Sequence, residues 1–335
     1  MSTASIIPYH LRPHKAIERQ LFIDILRKLD RCAEIDLIEY KYIGFGAPFL
    51  EDFKALHLEF GITKMDCIEI DEFAFSRQVF NNPFNFIQFF NQSSTEYITA
   101  AGFPQDQSKV IWLDYAIPRE LRQQLRDVEL LGEKLSRFDI VKLTFNSSLK
   151  SFMDTHKLGR DITNYKRALT FLEDDPTFQA VMPDGVVPGN LENFSSIVRS
   201  MAIRAIKRGL SKSSTGLTFH HIASFYYADG QQMTTITGII DNEDNFQNMV
   251  NQSGLNDWKF FQPESEIIAG NEIAVPVMTV SERIRIDQLV PTTDTRSIAD
   301  QLTFFYGRDK DEHNQLVKGY CDYYKYLPYY SKVTY

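Results

Sequence analysis

Apolar positions recur along this chain with two different periods, and the switch between them lays out the elements. Over residues 13–30, Ile17, Leu21, Ile25 and Leu29 return every fourth position, and Phe22 and Leu26 widen the stripe. That spacing predicts an amphipathic helix. From residue 40 the pattern becomes short apolar runs at 40–43, 65–70, 86–90, 110–113 and 140–145, with helix-like sequence at 49–60, 73–80 and 119–135. Gly61 stands where a left-handed cap ends the first of those helices. The runs are read as apolar throughout, as in strands covered on both faces. Five such runs separated by helical segments predict an α/β chain of βαβ units around a parallel sheet.

After residue 148 the pattern changes. Residues 149–190, with several Gly and Pro and the acidic Glu173-Asp174-Asp175-Pro176, read as an insertion carrying short helices. Residues 190–210 form a strong helix pattern, with Phe194, Ile197, Val198, Met201, Ala205 and Ile206 on one face. Two β-rich runs, 221–227 and 234–240, are joined through Ala228-Asp229-Gly230, a hairpin signal. A tail follows, with one apolar segment at 273–280 and a Tyr-rich end. The expected organisation is a helical segment at 1–35, a sheet domain at 36–241 containing the insertion, and a C-terminal extension at 242–335.

Composition narrows the function classes. The net charge is −8, from 36 Lys+Arg against 44 Asp+Glu, which argues against non-specific nucleic-acid binding except through a local basic patch. The helix at 190–210 supplies such a stripe in Arg199, Arg204, Lys207 and Arg208, with Lys212 beyond it; a solvated helix surface explains it equally. Aromatic residues make up 13%, with 26 Phe and 16 Tyr, and seven Tyr fall between Tyr320 and Tyr335. Those tyrosines, like the insertion, are a candidate surface for a protein partner, or simply packing of the tail. Cys32, Cys67 and Cys321 stand apart, and no Cys/His spacing fits a zinc site, so no metal is expected. No stretch of 18 apolar residues and no signal-peptide pattern exist, so no membrane association is expected and the cytoplasm is the default.

Open α/β sheets bind ligands beyond the carboxyl ends of their strands, so the residues ending each run are the candidates. Gly44 and Gly46 follow the first run and let a backbone approach a ligand, or serve only the turn. Glu69 ends the second, where a carboxylate can accept ribose hydroxyls; Asp71 suits a helix cap. Gln92 and Ser93 follow the third, able to meet an adenine edge, while Ser94 equally suits a cap. Asp114 and Tyr115 end the fourth, as base or orienter and as a stacking surface. Asn146 ends the fifth. Ahead of the first helix, Arg12 and Lys15 either reach a carboxylate or phosphate or belong to a solvated face.

These residues carry a resemblance. The segment from Tyr9 to Arg19, Tyr42-Ile43-Gly44-Phe45-Gly46 followed by Glu51-Asp52-Phe53, Ile68-Glu69-Ile70-Asp71, and Ile111-Trp112-Leu113-Asp114-Tyr115 resemble class I methyltransferases, within a bacterial O-methyltransferase-like group. The resemblance covers roughly residues 8–241. It implies a Rossmann-like sheet of five parallel strands plus a closing hairpin, with S-adenosylmethionine as cofactor and an oxygen or nitrogen as methyl acceptor. Gly44 and Gly46 would line the cofactor, Glu69 would hold its ribose and Asp114 would border the methyl group. Tyr42 stands where such loops carry an acid and Pro48 at the third small position; Asp52 is the candidate to replace the acid. The alternative is a catalytically degenerate scaffold in a multi-protein bacterial system such as phage defence.

Overall fold

The computed structural model describes residues 12–104, 106–159, 162–213, 216–263 and 270–328. Helix α1 (Pro13–Leu29) leads into strand β1 (Lys41–Gly44), then α2 (Glu51–Phe60), β2 (Lys64–Ile68), α3 (Glu72–Phe80), β3 (Ile87–Phe90), α4 (Ser94–Thr99), β4 (Lys109–Tyr115), α5 (Leu121–Gly132) and β5 (Ile140–Asn146). The insertion holds α6 (Leu149–Thr155), α7 (Ile162–Asp174) and α8 (Pro176–Gln179), followed by the long α9 (Phe194–Lys212). The hairpin is β6 (Thr218–Ala228) and β7 (Gln232–Asp241). Beyond it come α10 (Glu243–Ser253), β8 (Asn271–Ile273), α11 (Val280–Asp287), α12 (Thr295–Asp300) and α13 (Lys310–Tyr323).

The strands form one sheet in the order β3-β2-β1-β4-β5-β7-β6-β8. Every neighbouring pair is parallel except the two that β7 makes with β5 and β6, so the hairpin inserts its second strand antiparallel against β5. The chain builds outward from β1 in one direction and resumes at β4 in the other. That reversal places a crevice between β1 and β4, where ligands of such sheets sit. The carboxyl ends of β1, β2, β4, β5 and β6 all arrive at this edge, with the β6–β7 turn beside them.

One face of the sheet is covered by α4, α5, α9 and the insertion, the other by α1, α2, α10 and part of the tail. Helices α5 and α9 cross so closely that a Cβ on Gly209 would lie 2.0 Å from the Glu129 carbonyl oxygen and 2.8 Å from the Gly132 Cα. Gly61 caps α2 with φ of 71°, as its position in the sequence predicts. Helices α11–α13 gather a small core of their own around Ile286, Ile298, Val317 and Tyr320.

Two expectations change here. The strands are not apolar throughout: β2 buries Asp66, which receives hydrogen bonds from Lys41 and Tyr97, and β5 buries Lys142, paired with Glu18 of α1. Strand β3 is an edge, with Gln88 exposed and Phe89 and Phe90 only partly covered. The described part of the tail is built into the chain. Tyr323 stacks on Phe260 and donates to the Glu272 carbonyl at 2.8 Å, and Tyr326 donates to Asp24 of α1 at 2.9 Å. Tyr329, Tyr330 and Tyr335 lie outside the described residues. No described helix is long and apolar enough to cross a membrane.

Candidate functional site

A cavity of about 810 Å³ opens at the carboxyl edge of the sheet, between the β1 and β4 ends. That volume is in the range of small-molecule sites, roughly 300–1,000 Å³. Its wall is contributed by the loop after β1 (Phe45, Ala47, Pro48), the end of β2 (Ile68, Glu69, Ile70) and the β3–α4 turn (Gln92 to Thr95). The end of β4 adds Asp114, Tyr115 and Ile117, α5 adds Gln123 and Asp127, and β5 adds Asn146. Arg12, Pro13 and Lys15 close it from the start of α1, and Tyr227, Asp229 and Met233 from the hairpin.

Glu69, Gln92, Ser93, Asp114, Tyr115 and Asn146 are thus brought together at one cavity. Glu69 accepts the Asp71 N–H at 2.9 Å through one carboxylate oxygen and faces the Gln78 amide at 3.4 Å with the other. Burial, opposed by the backbone N–H groups of Asp71 and Ile70, pushes its carboxyl above the ordinary carboxylate range. Asp71 caps α3 by accepting the Ala74 N–H. Ser93, not Ser94, caps α4 in a reciprocal capping box with Glu96, which occupies the Ser93 hydroxyl. Ser94 instead donates to Asp127 of α5 at 2.5 Å, and Thr95 donates to the same carboxylate at 2.6 Å. Asp114 does not cap the following helix; it forms an ion pair with the Lys15 ammonium. Tyr115 lies against Phe145 with ring centroids 5.5 Å apart and meets the edge of Phe45 at 5.6 Å.

Gly44, Gly46 and Asp52 do not line the cavity. A Cβ on Gly44 would stand 2.5 Å from the Tyr42 hydroxyl, and one on Gly46 would stand 2.3 Å from Leu50 and 2.8 Å from the Cys67 sulfur. These glycines give room for side chains packed beneath the loop, while Phe45, Ala47 and Pro48 present themselves to the cavity. Ala47 and Leu50 hold left-handed φ values of 42° and 51° in this loop, a strained turn of the kind that borders ligand sites. Asp52 is buried under the loop, where Arg19 of α1 holds it. Tyr42 is buried too, its ring edge-on to Phe53 at 4.7 Å, and leaves the cavity open.

The family model described as "Putative O-methyltransferase" matches residues 7–335. The chain belongs to that O-methyltransferase family. No curated protein matches the sequence. Among solved structures, this O-methyltransferase family member is similar to the N-methyltransferase NodS from Bradyrhizobium japonicum WM9 in complex with S-adenosyl-l-homocysteine, at 11% identity over 67% of this chain and 87% of that chain, with TM-score 0.35. It is also similar to the Methanococcus jannaschii fibrillarin pre-rRNA processing protein, at 11% identity over 62% of this chain and 70% of that one, TM-score 0.34. Likeness at that level leaves the fold to the strand order and the family match.

Of the basic stripe on α9 only Arg199 is buried, donating to Ser224 at 3.0 Å. Arg204 is half-buried and binds the Met182 carbonyl at 2.7 Å, while Arg208 and Lys212 stay exposed and pair with Glu129 of α5, Lys212 also with Glu133 just beyond it. Sequence reasoning missed the hairpin's share of the site: Tyr227 and Asp229 read there as strand and turn residues. The signal available was the Asp-Gly turn itself, because a hairpin closing such a sheet carries its turn to the ligand edge.

Proposed function

We propose that the chain binds S-adenosylmethionine in this cavity and transfers its methyl group to an oxygen of a small-molecule acceptor. One observation carries the reading: Glu69 from β2 and Asp114 from β4 face a single open cavity that Tyr42 leaves clear. When bound, the cofactor supplies an electrophilic methyl carbon on a sulfonium leaving group.

The residues present suit such a ligand. The wall carries five carboxylates, on Glu69, Asp114, Glu120, Asp127 and Asp229, against the cations Arg12 and Lys15. An excess of negative charge favours a ligand with a cationic centre, and the Phe45 and Tyr115 rings add faces that attract it. The Glu69 carboxylate accepts from the Asp71 N–H and faces the Gln78 amide, and it has lone pairs left to offer a ribose hydroxyl. Gln92 would meet the adenine edge, and Asp114 would border the reacting end. Because the leaving group is already good, the chain's own work is to align the acceptor and exclude water.

The scaffold alternative calls for a site filled by its own side chains, and the packing of Tyr42 away from the cavity supports the enzyme instead. All three cysteines are free thiols, which supports a reducing compartment such as the cytoplasm. Isothermal titration with S-adenosylmethionine and with S-adenosylhomocysteine tests the cofactor assignment. Micromolar-range binding of both is expected; a folded chain that binds neither overturns it.

A further inference from the structure

Three consecutive hydroxyls, on Ser93, Ser94 and Thr95, line the cavity where the β3–α4 turn meets α5. Each gives its one hydrogen to a carboxylate. Ser93 donates to Glu96 at 2.8 Å, Ser94 to one oxygen of Asp127 at 2.5 Å, and Thr95 to the other at 2.6 Å. The direction follows from the chemistry, since an ionised carboxylate only accepts. Gln123 adds an N–H to Asp127 at 2.9 Å and reaches Thr95 at 3.2 Å. Ser93 and Thr95 are half-buried, so the cavity reaches them; Asp127 is buried and has no cation partner among the described residues. A loose hydroxyl turns its hydrogen toward or away from a ligand as the ligand requires. These three are held turned away, so the turn meets a ligand with oxygen lone pairs and no O–H.

We propose that Asp127 is a positioning residue that sets the ligand preference of this wall: by holding the Ser94 and Thr95 hydrogens, it favours a ring edge that carries an amino group over one that carries a carbonyl oxygen. An amino N–H finds an acceptor oxygen there. A carbonyl at the same place sets oxygen against oxygen and leaves both without a donor. Glu96 holds the Ser93 hydrogen in the same way, but that pair is already accounted for by the capping box of α4. Asp127 caps nothing in α4, and burying a carboxylate costs more than burying a neutral amide. An asparagine could tie α5 to the turn equally well. Its amide N–H groups would donate to a hydroxyl, however, and free that hydroxyl's hydrogen for the ligand. The carboxylate removes that freedom. The inference rests on the proposed cofactor only in naming adenine as the ring concerned.

The test measures dissociation constants on the full chain for two pairs of probes. Calorimetry compares S-adenosylhomocysteine with S-inosylhomocysteine, which carries a carbonyl in place of the adenine amino group; ligand-observed NMR compares adenosine with inosine. The adenosine member of each pair should bind at least about tenfold more tightly, the worth of one hydrogen bond and one unpaired oxygen. Asp127→Asn should narrow that preference to about threefold or less. A role confined to bracing α4 would weaken both members alike and leave the ratio where it was. Should Asp127→Asn fail to fold in thermal denaturation, Thr95→Val, which removes one hydroxyl from the wall, carries the same expectation. Equal binding within the wild-type pairs, or a ratio that the variants leave unchanged, overturns the proposal. If S-adenosylhomocysteine does not bind while adenosine is still preferred to inosine and the variant narrows the gap, the cofactor assignment fails and the wall's preference stands. Binding of S-adenosylhomocysteine with no preference sinks the wall alone, and failure of all four probes overturns both.

Discussion

At the scale of single residues, Glu69 in the cavity wall holds its charge at a cost to the folded chain. Its folded carboxyl is raised above the ordinary value by burial. For an acid raised in this way, the stabilising contribution is present below the unfolded pKa and is lost as pH rises through the folded one. At neutral pH the charged form is therefore a burden, one that the ribose hydroxyls of the proposed cofactor would relieve. Glu69→Gln should leave the thermal midpoint at pH 7 equal or higher while lowering S-adenosylmethionine affinity about tenfold, or ~1.4 kcal/mol. Thermal denaturation and calorimetry on the same sample check both halves. His221 behaves differently. It is buried with Ser224 and the Gln262 carbonyl as partners, and burial, then the Arg199 charge, lowers its pKa to about 3. Its contribution is intact above the ordinary histidine value and is lost as pH falls from there toward 3. The unfolding free energy from urea denaturation should accordingly fall by about 1 kcal/mol more between pH 6.5 and 5.5 in the wild type than in His221→Gln. Glu69 and Asp114 were legible as strand-end acids. The Tyr227 hydroxyl, buried without a hydrogen-bond partner among the described residues, was not, because a tyrosine in an apolar strand reads the same whether or not its oxygen finds a partner.

At the scale of elements, α1 does more than cover the sheet. Its apolar stripe packs into the core as the four-residue period predicts, but Lys15, Glu18 and Arg19 are buried as well. They reach Asp114 of β4, Lys142 of β5 and Asp52 of α2 respectively. Lys142 also lies over the rings of Phe22 and Trp112, at 4.6 and 4.4 Å from their centroids. One helix thus ties together three elements around the cavity. Removing one partner of a buried pair strands the other, so Glu18→Ala should destabilise by about 3–5 kcal/mol in urea unfolding. The paired replacement Glu18→Leu with Lys142→Met should recover most of that loss; a double variant no better than the single one would contradict the ion-pair account. Periodicity placed this helix correctly but said nothing of its charged flank, since a Lys or Glu beside an apolar stripe usually faces water.

At the scale of the whole molecule, the tail is part of the core. Met249, Val250, Leu255, Trp258, Phe260 and Ile273 bury themselves with α1 residues and with Phe225 of β6, and β8 extends the sheet beyond β6. A chain ending at residue 241 would expose that face and leave β6 as an unpaired edge, a template for aggregation. Expressed alone, residues 1–241 should be insoluble or lack a cooperative unfolding transition; a soluble fragment with a sharp transition would show the tail to be dispensable. Such a dependence was hidden in the sequence, where the segment after residue 241 shows few regular apolar runs and contributes mostly single side chains.

The sequence by itself determined the alternation of strands and helices, the closing hairpin, and the acids and amides that end successive strands. Those features are local: each follows from a period, a turn residue or a strand end within a few positions. The tertiary structure decided that Gly44 and Gly46 make room for packing, that Asp52 pairs with Arg19 of α1, and that Lys15 and Tyr227 line the cavity. Each of these depends on which distant side chain fills the space opposite, with Lys15 and Asp114 separated by 99 positions. Burial turns such meetings into ion pairs or unmet hydrogen bonds only once the sheet has brought the ends of its strands to one edge.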